Sequence, residues 1–143
     1  MFIGRTTMVH IVDEGSEFDM PLEMLWEYLP SESHRHSAKV ISREVQGNVV
    51  TLTSERDVNG KAVRSKLRLT MYPPLGVAQE HLEGPTAGSK VFTYYTKKGD
   101  KTAITVVGDY TMAGTSDEDT EKAVMQMLQR TFDEDVATLK SMK

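Results

Sequence analysis

The sequence predicts an α+β fold: a curved, seven-stranded antiparallel sheet around a long C-terminal helix, with one or two short helices after the first strand. Three observations carry this expectation. Strand-like runs follow one another from residue 39 to residue 112, separated by short Gly, Pro and Asn turns, as in a meander of hairpins. From Asp117 to Lys143 neither glycine nor proline interrupts an amphipathic helical pattern. Between the first strand and the meander sits MPLEMLWEYLP, a short helical stretch that opens on Pro21 and closes on Pro30.

Residues 7–19 read as extended. Met8, His10 and Val12 alternate with Val9 and Ile11, so both faces are partly apolar. Asp19 and Pro21 then form a helix start, a carboxylate ahead of an early-turn proline. Leu22, Leu25, Trp26 and Leu29 fall on one helical face, and Glu23, Glu27 and Tyr28 fall off it. Pro30 ends the helix, and SESHRHS reads as a polar turn with room for a second short helix.

The meander follows. Residues 39–46 end at Gly47-Asn48, and residues 49–57 end at Asn59-Gly60, a strong hairpin signal. Residues 61–72 have the clearest period-2 pattern: Val63, Ser65, Leu67, Leu69 and Met71 share one face, and Arg64, Lys66 and Arg68 share the other. After Pro73-Pro74 come GVAQEHLEG, VFTYYTKKG and TAITVVGDYTM. The last helix has Thr115-Ser116 as a hydroxyl N-cap, with Asp117, Glu118 and Asp119 in its first turn, where the helix dipole favours acids. Its apolar stripe is Val124, Leu128, Phe132, Val136 and Leu139, and its length would be on the order of 40 Å.

Composition narrows the function. A chain of 143 residues suggests one domain, 1–143, able to bury a real core. Without cysteine there are no disulfides and no thiolate metal sites. A net charge of −4 gives no basic footprint for nucleic acid. No apolar run approaches the roughly 18 residues of a membrane span, and MFIGRTTMVH lacks the apolar core of a signal peptide, so a cytoplasmic protein is expected. Nine methionines against four phenylalanines suit a core or cavity that adapts its shape.

A helix with one apolar stripe must lie on an apolar face, and the concave face of the sheet is the only large one. The short helix would then close one end of the curl and leave a hollow beneath it, the kind of place where small molecules bind. The order of motifs resembles a known superfamily. It runs P-x-x-x-x-W-x-x-L-P (Pro21–Pro30), E-G-P-x-x-G-S (Glu83–Ser89), G-D-x-T-x-x-T-V-x-G-D-Y (Gly99–Tyr110), then a terminal helix ending F-D-E-D-V-A-T-L-K. This is similar to the SRPBCC superfamily, the START-like, birch-pollen-allergen-like, polyketide-cyclase and coenzyme-Q-binding group with the helix-grip fold. The resemblance covers essentially the whole chain. It implies a hydrophobic cavity between sheet and helix for a lipid, sterol, quinone, polyketide or aromatic compound.

On that basis the expected cavity residues are Leu67, Leu69, Met71, Glu80, Tyr94, Val106, Tyr110, Leu128 and Phe132, with Leu25 and Trp26 as lid. Strand parity at Ala78–Glu83 stays open: one choice turns Glu80 inward, the other His81 and Glu83. By the same alternation one of Tyr94 and Tyr95 points inward. Asp135 falls beside the helix stripe and reads as a flanking acid that pairs with the sheet, or as a cavity-edge acid. Arg64, Lys66 and Arg68 read as a solvated outer stripe, and His10 as a satisfied sheet residue. His34 and His36 lack the third and fourth ligands that a metal site needs, and GPTAGSK lacks the spacing of a phosphate loop. No catalytic set, metal or cofactor is called for. The expected function is binding of an apolar small molecule as carrier or sensor. An enzyme of cyclase, aromatase or dehydratase type and a protein-interaction domain of chaperone-activator type stand as alternatives.

Overall fold

The computed structural model describes residues 8–29 and 39–141. The elements are β1 (Val9–Phe18), α1 (Leu22–Tyr28), β2 (Lys39–Gln46), β3 (Val49–Val58), β4 (Lys61–Tyr72), β5 (Gly76–Glu83), β6 (Lys90–Lys98), β7 (Lys101–Tyr110) and α2 (Asp117–Ser141). The seven strands form one sheet in the order β1-β7-β6-β5-β4-β3-β2. Every neighbouring pair is antiparallel. The meander therefore runs from β2 at one edge to β7, and β1 pairs outside β7. The chain must cross from one edge to the other between β1 and β2, and α1 lies in that crossing. The proposed second short helix and the pair His34 and His36 lie outside the described residues.

Turn chemistry fixes the hairpins. Asn59 and Gly60 both have positive φ (54° and 81°), as a two-residue hairpin turn requires, and Asp57 Oδ1 accepts the Gly60 N–H at 2.9 Å. In β1 the register with β7 shifts between Asp13 and Ser16, where Gly15 has a φ of 100°. The bulge changes parity. Val9 and Ile11 face inward before it, Phe18 after it, so one strand supplies the same face at both ends.

The register defines that inner face. One row runs Val45–Val50–Leu69–Gln79–Val91–Gly108–Ile11 across the whole sheet. On β7, Thr102, Ile104, Val106 and Tyr110 alternate inward, and all are buried. Helix α2 packs on this face. Ser116 caps it: its hydroxyl accepts the Asp119 N–H at 3.2 Å, and acids occupy the first turn. Val124 and Leu139 of the stripe are buried, and Phe132 stacks on Phe18 at 5.1 Å.

Candidate functional site

Leu67, Leu69 and Met71 of β4, and Val106 and Tyr110 of β7, all stand on the inner face. Leu128 and Phe132 of α2 pack against the same core, and α1 contributes Leu25, which is wholly buried, and Trp26. The structure thus brings nine of the eleven expected residues to one side of the sheet.

Glu80 and Tyr94 are corrections. Glu80 pairs with Arg68 and Lys90 in the ladder and faces outward, where its carboxylate lies 3.6 Å from the Arg68 guanidinium. Tyr94 pairs with Gly76 and Thr105, also on the outer face, and packs on Phe92 at 4.4 Å. Their neighbours His81 and Tyr95 take the inward places. The outer basic stripe is partly neutralised, since Arg64 also pairs with Glu55 at 3.3 Å. His10 bonds Asp109 at 3.0 Å on the exposed outer face.

His81 is the inward titratable group of β5, in register with Leu67. Gln79 Oε1 can only accept, so His81 Nε2–H donates to it at 2.8 Å. That leaves Nδ1 as acceptor for the Thr86 hydroxyl at 2.6 Å. Tyr110 meets the ring edge-on at 6.0 Å. Burial disfavours the charged imidazolium and lowers its pKa from 6.5 to about 4. The side chain is a neutral imidazole at neutral pH with both nitrogens engaged.

A second polar cluster joins α1, α2 and β6. The one-face pattern places Tyr28 off the apolar face of α1, but it is buried and donates to Asp135 Oδ1 at 2.8 Å. Asp135 is buried in turn and joins the two helices rather than a cavity rim. Burial, then the Asp135 charge, raises the phenol pKa of both Tyr28 and Tyr95. Trp26 packs edge-on against Tyr95 at 5.9 Å and donates its indole N–H to the Pro74 carbonyl at 3.3 Å. The deepest anchors of the short helix are therefore Leu25 and Tyr28, with Trp26 half-buried beside them.

Methionine is used differently from the expectation. Met20 and Met71 are buried, but Met8, Met24 and Met125 are exposed. Among the described residues, Met127 is the one methionine in the half-buried apolar set next to the core, beside Leu52 on β3 and Leu128, Phe132 and Val136 on α2. Leu67, opposite Leu52 in the ladder, is also only half-buried. Recesses walled by described residues include one on each face of the sheet. One, of about 340 Å³, lies on the outer face near the β3–β4 turn, among Lys39, Glu55, Asp57 and Ala62. The other, of about 60 Å³, lies between Phe18, Met20, Val136 and Leu139, with room for a water or two and not for a drug-sized molecule.

No protein-family model matches the chain, and no curated protein matches its sequence. Solved structures do match. The Zhui aromatase/cyclase from Streptomyces sp. R1128 superposes with a TM-score of 0.68 at 16% identity, over 92% of this chain and 91% of its own. Ara h 8.0201 superposes at 0.67 with 12% identity, over 94% of this chain and 99% of its own. Protein Ms6760 from Mycobacterium smegmatis does so at 0.62 with 17% identity, over 96% and 94%. At these identities the likeness concerns the fold alone: the chain has the helix-grip fold that these structures share. No described helix is long and apolar enough to cross a membrane.

Proposed function

We propose that the chain binds an apolar small molecule between the β3–β4 part of the inner face and α2, as a carrier or sensor. The observation that supports this is that Leu52 on β3 and Leu67 on β4, facing each other on the inner side, stay half-buried, as do Leu128 and Phe132 on α2. Core side chains gain by complete burial, so apolar groups left partly open inside a fold are natural ligand contacts. The chain would admit the ligand by selecting a conformation in which α2 stands further from the β3–β4 part of the sheet.

An aromatase/cyclase is among the structural neighbours, which raises the enzyme alternative. The acid–base groups favour binding over catalysis. His81 has both ring nitrogens engaged, Asp135 accepts from Tyr28, and Glu80 is paired on the outer face.

Native mass spectrometry of the chain purified under mild conditions tests the proposal. A co-purifying small molecule is expected, released by organic solvent and reduced in Leu67→Asn. A bare protein mass that stays bare after incubation with fatty acids, quinones, sterols and flavonoids would contradict it.

A further inference from the structure

The inner face of β3 changes character along its length. Its inward side chains are, in order, Val50, Leu52, Ser54 and Arg56. Val50 is buried, Leu52 half-buried. Ser54 is directly opposite Ser65 of β4, which doubles the hydroxyl step, and Arg56 is opposite Val63. Arg56 is half-buried, and its Nε has no hydrogen-bond partner although it is shielded from solvent. The acids nearest in sequence, Glu55 and Asp57, point to the other face, where Glu55 meets Arg64 and Asp57 accepts the Gly60 N–H. The inward positions of β3 and β4 carry no carboxylate at all. A guanidinium is poorly placed with a shielded N–H and no acceptor, since the group retains its charge and loses a water bond.

From this gradient we infer that the face takes an amphiphile with a carboxylate head: the head on Arg56, flanked by Ser54 and Ser65, and the apolar body along Leu52 and Val50. The span from Val50 to Arg56 is about 20 Å at roughly 3.3 Å per residue, enough for a medium-length acyl chain or a flat ring system bearing an acid. A carboxylate suits the guanidinium fork through two parallel N–H bonds and supplies the acceptor that Nε lacks. This inference deepens the proposed binding of an apolar molecule and rests on it, adding the chemical class of the ligand.

The test is calorimetric titration of the chain at pH 7.5 with decanoate and with 1-decanol, which share a tail and differ in the head. Decanoate should bind about tenfold more tightly than the alcohol or better. Arg56→Gln should bring decanoate to the level of the alcohol and leave the alcohol unchanged, and Arg56→Lys should retain part of the preference. The unliganded Arg56→Gln chain should melt no lower than the wild type, because an unpartnered donor is removed; this also shows that the variant is folded. Equal affinity for acid and alcohol, unaltered by Arg56→Gln, would overturn the head site and leave apolar binding standing. Binding of neither probe would overturn both.

Discussion

The two halves of the sheet are finished differently. In the half formed by β1, β7 and β6, most of the inner face is buried: Ile11, Phe18, Val91, Ile104, Val106 and Tyr110 form one core with Leu25 and Tyr28 of α1 and Val124 and Leu139 of α2. In the half formed by β2, β3 and β4, every residue of β2 is exposed, Leu52 and Leu67 are half-buried, and the inner face becomes polar at Ser54, Ser65 and Arg56. The first half has the packing of a core, which is about stability. The second has incomplete burial and an unmatched charge, which ordinary folding selects against unless something else is gained.

That contrast predicts a graded response to substitution. The largest effect belongs to the sealed half. Leu25→Ala removes a wholly buried side chain and should destabilise by about 2–5 kcal/mol in denaturant unfolding. A change under about 1 kcal/mol would mean that α1 is not part of the core.

His81 tests where the two halves meet. Its pKa is lowered on folding, from 6.5 to about 4, so the folded state disfavours the protonated form. Its contribution is fully present above about pH 6.5, declines as pH falls, and is lost on passing below about 4, a swing of about 3 kcal/mol. Between pH 6.5 and 5, above the main carboxylate range, the wild type should lose stability steadily with acid, and His81→Gln should show a flatter profile. Parallel profiles would place His81 in contact with solvent.

Tyr28→Phe keeps the ring and removes the hydrogen bond to Asp135, and should cost about 1 kcal/mol. The smallest effect belongs to the open edge. Val45→Thr, on a side chain that is 56% exposed, should change stability by less than about 0.5 kcal/mol. A larger loss there would show that this half is also sealed in solution.

Much of the sealed scaffold was legible in the sequence, because its signals are local. Asn59-Gly60 sets a hairpin wherever it occurs between strands, and Ser116 with three following acids starts a helix without outside help. Face assignment was harder. On β5, Ala78, Glu80 and Leu82 look as credible inward as Val77, Gln79 and His81. The choice is made by the register with β4 and β6, which pairs Glu80 with Arg68 and Lys90. Tyr94 and Tyr95 pose the same two-way choice, settled by the register that pairs Tyr94 with Gly76 and Thr105 and Tyr95 with Ile104. Tyr28 escaped the one-face pattern because a short helix wedged between α2 and β6 buries more than one stripe. Arg56 gave no signal of its own; its meaning depends on a shielded Nε that only three dimensions reveal.

The most direct test of the account measures ligand-induced thermal stabilisation on both faces of the sheet. The wild type, Leu67→Asn on the inner face and Tyr94→Ala on the outer face are melted with and without saturating apolar ligand. A ligand bound only by the folded state raises the melting temperature by mass action. The account predicts a rise in the wild type that Tyr94→Ala preserves and Leu67→Asn abolishes. A rise that survives Leu67→Asn and disappears in Tyr94→Ala would contradict it and move the binding surface to the outer face.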